Sequence, residues 1–243
     1  MQDLARETTT VDGLTRDAAI AFRGTVIGLL TSGAVAQSLA RLSPGNDAPA
    51  TSLPLMPESV TGTLVPELRA LTTWSTERWL LTPDDDVAPC SAEEFAAADP
   101  ERRFSESGCL RDIPQSALAI RAFLSALKST EVADALSEAF GEPVSFRSAD
   151  IAKYEKGHYL RRHSDTFGDR RFGFVFFLSG GWAPGDGGEL VVEAPSGVTL
   201  ATRPEQGRVA MLRINPGYHH GVCQIQSPTW VRYSLAAHFG AAR

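Results

Sequence analysis

Two histidine-containing segments carry the residue types from which a mononuclear metal site is built. In the first, His163 and Asp165 are two positions apart, so on an extended strand both side chains project from the same face. In the second, His219 and His220 are adjacent and lie more than fifty residues further along the chain. Two imidazoles and one carboxylate on one face of an octahedron form the facial triad of non-haem iron(II), which leaves three positions for a co-substrate and O2. The two segments therefore predict an iron(II) site.

A cationic side chain in an apolar strand gives a second chemical signal. Arg232 follows the histidine pair in the segment WVRYSLAAHF, and Ser234 lies on the same face of that predicted strand. A guanidinium binds a carboxylate through two parallel hydrogen bonds, and the hydroxyl adds a third. The pair suits the distal carboxylate of 2-oxoglutarate. A structural salt bridge is the alternative, but it leaves the order of HxD, histidine and arginine unexplained.

Residues 143–243 must supply the strands that hold these side chains. Short β-rich runs alternate there with Gly, Pro, Asp and Asn, as in RFGFVFFLS, GELVVEAP and RVAMLRI. Seven or eight strands separated by turns are typical of a sandwich or barrel. This region is predicted to be the catalytic core.

Residues 1–142 are predicted to be a helical and loop region that supports and covers that core. The β-branched, apolar residues 21–30 predict a strand, residues 32–42 a helix capped by Ser32, and the proline-rich residues 43–60 a loop. Residues 91–98 and 113–140 predict helices, the second broken near Ser129 and stopped by Gly141. The fold class is therefore α+β, with both regions in one integrated domain.

The bulk properties exclude several classes of protein. The 243 residues are 43% hydrophobic, enough for a substantial core, and the net charge of -6 argues against broad binding to nucleic acid. Three scattered cysteines give neither a disulfide framework nor a thiolate zinc site. The N-terminal segment has no apolar signal region, and no stretch is long enough to span a bilayer. We expect a cytoplasmic protein with no membrane partner, and a homodimer is left open.

The segment YEKGHYLRRHSDTFGDRRFGFVFFLSGGWAPGDGGEL resembles the core of the prolyl-4-hydroxylase-type 2-oxoglutarate/Fe(II)-dependent oxygenases. The later segments GRVAMLRINPGYHHGVCQI and RYSLAAHF resemble the distal-histidine and co-substrate strands of that superfamily. The resemblance covers about residues 150–240. It implies a double-stranded β-helix, or jelly roll, with N-terminal helices packed against it. It also implies Fe(II), 2-oxoglutarate and O2 as cofactor and co-substrates.

Carried over by residue, the resemblance implies His163, Asp165 and His220 as iron ligands, with Arg232, Ser234 and Tyr154 binding 2-oxoglutarate. His220 is preferred to His219 because Ile225 then provides the apolar residue that the superfamily has five positions after its ligand. His219 would face outwards or contact substrate at the rim. Tyr159 and Phe176 are candidates for the pocket wall, with core packing as the alternative. Arg171 could hold a substrate carboxylate. His158 is interpreted as a loop residue, and His238 as a strand-surface residue that lies too far beyond Arg232 to reach the metal.

The function expected from this resemblance is hydroxylation of an unactivated C–H bond, with release of succinate and CO2. Asp165 favours hydroxylation over halogenation, because halide-transferring relatives carry a small residue there. Four arginines flank the HxD motif, which favours a small carboxylate-bearing substrate such as a free amino acid or natural-product intermediate. A prolyl-type hydroxylase acting on protein or peptide is the alternative. An iron enzyme that uses no 2-oxoglutarate and a non-enzymatic, cupin-like binding module are further alternatives.

Overall fold

The computed structural model describes residues 14–46, 48–84, 86–166 and 168–242. Residues 1–13, which form most of the N-terminal segment that predicts no signal peptide, lie outside the described residues. The helices that the model describes lie in the first 140 residues, before the long run of C-terminal strands. They are α1 (Arg16–Leu30), α2 (Gly33–Ala40), α3 (Glu58–Ala70), α4 (Ala92–Ala97), α5 (Leu118–Leu127) and α6 (Thr130–Phe140).

The strands form one antiparallel sheet that wraps into a nearly closed barrel. They are β1 (Ala50–Pro54), β2 (Ser75–Leu81), β3 (Val87–Pro89), β4 (Arg103–Cys109), β5 (Val144–Tyr154), β6 (Tyr159–His163), β7 (Arg170–Phe177), β8 (Leu190–Glu193), β9 (Thr199–Thr202), β10 (Arg208–Arg213), β11 (His219–Val222) and β12 (Arg232–Ala241). Neighbouring strands follow the order β1-β10-β7-β12-β5-β4-β6-β11-β8-β9, and β2 pairs with β3 and β4. Strands from both sides of residue 142 therefore share this sheet.

The predicted strand over residues 21–30 is wrong, because this segment belongs to helix α1. Phe22, Val26 and Leu30 recur every four residues and are its buried positions, which places them on one helical face. Thr15 caps the helix by accepting a hydrogen bond from the amide of Ala18. Packing of this apolar face against the rest of the core outweighs the weak helix propensity of the β-branched residues.

The other predicted helices are present, but one of their end signals differs: Ser32 occupies the N-cap position of α2 and its side chain makes no capping hydrogen bond there. Ser91 caps α4 in a capping box with Glu94. The break near Ser129 is confirmed, since its hydroxyl accepts from the amide of Val132 at the start of α6. Gly141 ends that helix in a left-handed conformation, with a φ of 82°. The first helix of the pair begins at Leu118, later than the predicted start.

The predicted loop over residues 43–60 is wrong in part, because it contains β1 and the start of α3. Strand β1 pairs with β10 at the end of the sheet and finishes at Pro54. A proline is tolerated there because an edge strand leaves one row of amides unpaired.

Within the described residues, no single helix is long and apolar enough to cross a membrane. Helices α1 and α2 together have the length and apolar composition of a membrane span, but the pair is bent by 43° at the break between them.

Strand β7 is buried on both faces and stiffens the part of the sheet that carries the candidate site. Phe172, Phe174 and Phe176 join the core that contains the helices, and the ring of Phe176 meets that of Phe123 edge-on at 5.1 Å. Phe176, a predicted pocket-wall residue, is thus a core residue on the helix side. On the other face Phe177 packs inside the barrel. Neighbouring strand β12 is therefore held against a rigid support.

Candidate metal and co-substrate site

The barrel brings His163, Asp165 and His220 into one cluster. Strands β6 and β11 are paired so that His220 lies directly opposite His163, and their rings are 4.2 Å apart. Asp165 follows the end of β6 and turns its carboxylate toward the two rings. One ligand atom from each of the three residues can be chosen so that all lie within 4.8 Å of one another. Two imidazoles and a carboxylate at this spacing can hold one metal ion.

The electrostatics of the cluster favour a charged carboxylate. Burial alone would raise the pKa of Asp165, but hydrogen bonds from His220 and His238 outweigh it and hold that pKa far below its ordinary value. The Nη1 atom of Arg170 also lies 3.1 Å from Oδ1 of Asp165. The carboxylate is therefore ionised at neutral pH, as a metal ligand must be.

The imidazole of His163 is also in a ligand-competent state. Its Nδ1 lies 2.9 Å from the carbonyl oxygen of Arg161. Because a carbonyl only accepts, Nδ1 donates and Nε2 keeps its lone pair. Burial, reinforced by the neighbouring His220, lowers the pKa of His163 to about 4. The ring is thus neutral at pH 7.

Arg232 is a buried cation with two nitrogen atoms that lack an acceptor among the described residues. Its side chain is 1% exposed and lies between the rings of Tyr154 and Phe177, 5.1 Å from each centroid. Within the described residues, its Nε and Nη1 atoms have no hydrogen-bond partner. Burial lowers the pKa of Arg232 to about 10 and raises that of Tyr154 to about 12. Such an arrangement fits an anionic ligand that supplies the missing acceptors.

The chain around Arg232 is shaped by a double-glycine turn. Gly187 and Gly188 both have positive φ values, which L-residues rarely adopt. A Cβ on Gly187 would lie 2.0 Å from the carbonyl oxygen of Gln224, and one on Gly188 would meet Ile225 and Trp230. Only glycine lets this turn pack beneath the arginine.

Ser234 is buried two residues after Arg232 on the same strand and lies opposite Phe177 in the sheet. The two-residue spacing puts Arg232 and Ser234 on the same face of β12, as the sequence predicts.

His238 belongs to the cluster, and its interpretation as a surface residue far from the metal site is wrong. It is buried, and its Nε2 lies 3.0 Å from Oδ2 of Asp165. The signal was available in the sequence: positions 232, 234, 236 and 238 all project to the same face of an extended strand. That face points into the barrel.

The three predicted substrate residues have partners outside the cluster. Nε of Arg171 lies 3.6 Å from a carboxylate oxygen of Glu142. The ring Nδ1 of His219 is 3.1 Å from the carbonyl oxygen of Gly217, so His220, and not its neighbour, reaches the cluster. The hydroxyl of Tyr159 donates to the carbonyl of Arg103 at 3.1 Å, and burial raises its pKa.

The arginine-rich approach is also engaged by the protein itself. Each of the four arginines near the HxD motif has a partner within the described chain: Arg161 donates to the carbonyls of Pro100 and Glu101, Arg162 pairs with Glu193, Arg170 with Asp165, and Arg171 with Glu142. The sequence suggested that these arginines form a free anion-binding patch, but in the structure each of them is already paired with a protein group. Arg162 and Arg171 keep 58% and 43% of their side chains exposed, so their ion pairs are weak.

Comparison with known proteins finds a family whose sequence pattern covers the segment that carries these features. Residues 149–240 match the family model described as the 2OG-Fe(II) oxygenase superfamily. No curated protein sequence gives a significant match. The matched residues include the whole cluster and Arg232.

Solved structures share the fold at low sequence identity. A Pseudomonas putida prolyl-4-hydroxylase is 20% identical, with a TM-score of 0.59 over 86% of this chain and 100% of that one. A Trichoplax adhaerens prolyl hydroxylase, solved with a hypoxia-inducible-factor peptide fragment, is 12% identical, with a TM-score of 0.58 over 92% and 91%. SnoN, a non-haem α-ketoglutarate-dependent epimerase from nogalamycin biosynthesis, is 13% identical, with a TM-score of 0.55 over 87% and 85%. The predicted jelly roll with packed helices is confirmed.

The residues present fit the reagents that this superfamily implies, which are Fe(II), 2-oxoglutarate and O2. The cluster of His163, Asp165 and His220 offers the donor set of an iron(II) site. Arg232 offers buried N–H groups without acceptors to a dicarboxylate. Residues 149–240 therefore match the 2OG-Fe(II) oxygenase superfamily in sequence, and the chain has the fold and the candidate donor set expected of that superfamily.

Proposed function

We propose that the chain is a 2-oxoglutarate-dependent hydroxylase that holds Fe(II) on His163, Asp165 and His220. The observation that carries the proposal is the buried guanidinium of Arg232, on the same barrel-facing side of β12 as His238, whose Nε and Nη1 find no acceptor in the part of the chain that the structure describes. In a protein that binds no dicarboxylate, burial of this cation would destabilise the fold, and its contacts with two aromatic rings would offset that cost only in part. With a dicarboxylate bound, the same cation anchors its distal end.

Bound at this site, iron(II) and 2-oxoglutarate supply an oxidant derived from O2, with release of succinate and CO2. The protein provides fixed geometry. His163 presents Nε2 because its Nδ1 is tied to a backbone carbonyl, and Asp165 stays charged because its hydrogen bonds outweigh burial. Arg232 and Ser234 orient the co-substrate. The carboxylate of Asp165 completes the protein ligand set, which favours hydroxylation over halide transfer.

For the substrate, we propose a small molecule that carries a carboxylate. Arg162 and Arg171 support it, because each is about half exposed and is held by a single surface carboxylate. Exposed ion pairs of this kind contribute only about 0–1 kcal/mol, so a substrate carboxylate could replace Glu193 or Glu142. Succinate formation stimulated by free amino acids would support this class. If only peptides stimulate it, the substrate class is wrong while the hydroxylase proposal stands.

An anaerobic titration tests the metal and co-substrate assignment. Fe(II) and 2-oxoglutarate together should give the wild-type protein a weak charge-transfer band in the visible region, and His163→Ala should abolish it. His219→Ala is the matched control, because this neighbouring imidazole lies outside the cluster and should leave the band intact. A band that survives His163→Ala, or its absence from the wild type, would overturn the proposal.

A further inference from the structure

Both oxygens of the Asp165 carboxylate are held by side chains that belong to neither of the two histidine ligands. Arg170 lies 3.1 Å from Oδ1 through Nη1, and His238 lies 3.0 Å from Oδ2 through Nε2. All three side chains are nearly buried, with 9–11% of each exposed. A carboxylate fixed at both ends cannot rotate freely about its last side-chain bond. Its orientation is therefore set without a metal.

Ser148 joins the two groups that hold Asp165. Nη2 of Arg170 donates to Oγ of Ser148 at 3.0 Å, and that same Oγ lies 3.1 Å from Nδ1 of His238. A guanidinium only donates, so the serine oxygen accepts from Arg170 and its own proton is free to point at Nδ1. Nδ1 then accepts, and the ring proton is on Nε2, where it is donated to Asp165. The contacts form a closed ring of four side chains.

The backbone places these side chains together on one face of the sheet. Ser148 of β5 lies directly opposite His238 of β12, and Gly173 of β7 lies opposite it on the other side. Arg170 begins β7 directly after a turn in which Asp169 has a φ of 58°. Arg147 binds the carboxylate of Asp169 through two nitrogens. Three paired strands and an anchored turn thus fix the ring.

We infer that His238 is a positioning residue, which, held as a hydrogen-bond donor by Ser148, orients the Asp165 carboxylate for metal binding. The inference rests on the proposed function, because Asp165 is a metal ligand only within it. His238 does not enter the ligand set: within the described residues, the group whose ligand atoms converge contains His163, Asp165 and His220. Partners that orient a ligand commonly contribute 10- to 100-fold to metal affinity, so a loss of about that size is expected without His238.

Metal affinity measured without catalysis tests this inference. Mn(II) alone is titrated into the metal-free protein, and free Mn(II) is followed by electron paramagnetic resonance. We expect His238→Phe, which removes the donor, to weaken binding about 10- to 100-fold. His238→Gln, whose amide can place a donor near the position of Nε2, should restore most of the affinity. Phe239→Leu is the matched control: this neighbour is also buried but faces the core on the opposite side.

Ser148→Ala tests the role of Ser148, and this test remains informative even if His238→Phe fails to fold. Ser148→Ala should weaken Mn(II) binding in the wild-type background, because Nδ1 of His238 loses the donor that sets its tautomer. In the His238→Gln background the same change should have little further effect, because the amide has no equivalent of Nδ1. Equal effects in both backgrounds would show that Ser148 acts independently of His238.

The outcomes separate the inference from the proposed function. If wild-type protein fails to bind Mn(II) and gives no visible band with Fe(II) and 2-oxoglutarate, the metal site itself is wrong. If the wild type binds and His238→Phe binds equally well, the positioning role of His238 is wrong and the metal site stands. Equal losses in His238→Phe, His238→Gln and Phe239→Leu would show a general packing effect and would also overturn the inference.

Discussion

Arg232→Met should make the protein more stable and, at the same time, unable to bind its co-substrate. Without a bound anion, Arg232 is a buried cation whose Nε and Nη1 have no acceptor within the described chain. Burial lowers its pKa from the ordinary value of a guanidinium to about 10. Since one tenfold step in an acid constant corresponds to about 1.4 kcal/mol, burying this charge destabilises the fold by about 3 kcal/mol. The folded-state pKa is the lower one, so the full cost applies below a pH of about 10, including pH 7, and falls as the pH rises above that value.

Methionine retains much of the apolar stem and removes the charge. The lost contacts of the guanidinium with the rings of Tyr154 and Phe177 should cancel about 1–2 kcal/mol of the gain. A net gain of about 1–2 kcal/mol remains. For a chain of this length it corresponds to a rise in Tm of about 2–8 °C.

Thermal unfolding in the presence of Mn(II), with and without 2-oxoglutarate, measures both effects. At about 100 times its Kd, 2-oxoglutarate should stabilise the wild type by about 2.7 kcal/mol, and it should leave the Tm of Arg232→Met unchanged. Arg208→Met is the control, because this arginine is partly exposed and paired with Glu205. It should change stability by less than about 0.5 kcal/mol and keep the 2-oxoglutarate shift. A lower Tm in Arg232→Met, or an undiminished shift, would refute the assignment.

Two further predictions concern the elements that support the site. Gly187→Ala should lower the free energy of unfolding by about 2–4 kcal/mol, because the new Cβ would lie 2.0 Å from the carbonyl oxygen of Gln224. Gly185→Ala, with a φ of +99° but no atom within 4 Å of the new Cβ, should cost only the backbone strain, and equal losses in urea unfolding would contradict the steric argument. Glu67→Ala should cost about 1–2 kcal/mol, because the carboxylate accepts hydrogen bonds from two amides in the first turn of α5. A loss below about 0.5 kcal/mol in the same assay would show that water replaces that cap.

The two-residue periodicity of a strand was sufficient to predict much of the candidate site. Alternate residues of a strand share a face, so the two residues of HxD, and likewise Arg232 and Ser234, are predicted to point the same way. The same rule includes His238, six residues after Arg232. Distance along the chain from Arg232 does not indicate distance from the metal site, because the register of β12 brings His238 within 3.0 Å of Asp165.

Periodicity was ambiguous in the N-terminal half. In α1 the β-branched residues favoured a strand, whereas the four-residue spacing of Phe22, Val26 and Leu30 indicated a helix, and the buried face decided the outcome. Strand β1 was hidden in a proline-rich segment because its partner, β10, lies about 160 residues away. A short strand is stable only through such pairing, which no local window contains.

By itself, the sequence determined which residues could act as ligands and on which face of a strand each one lies, because both follow from residue type and local geometry. Only the tertiary structure decided which partners those residues have. His220 lies opposite His163 because two distant strands share a register. Arg170 contacts the cluster, whereas Arg171 pairs with Glu142. Within the described residues, Nε and Nη1 of Arg232 have no acceptor, because the side chains packed around the guanidinium include the rings of Tyr154 and Phe177. Each of these facts depends on contacts between segments far apart in the chain.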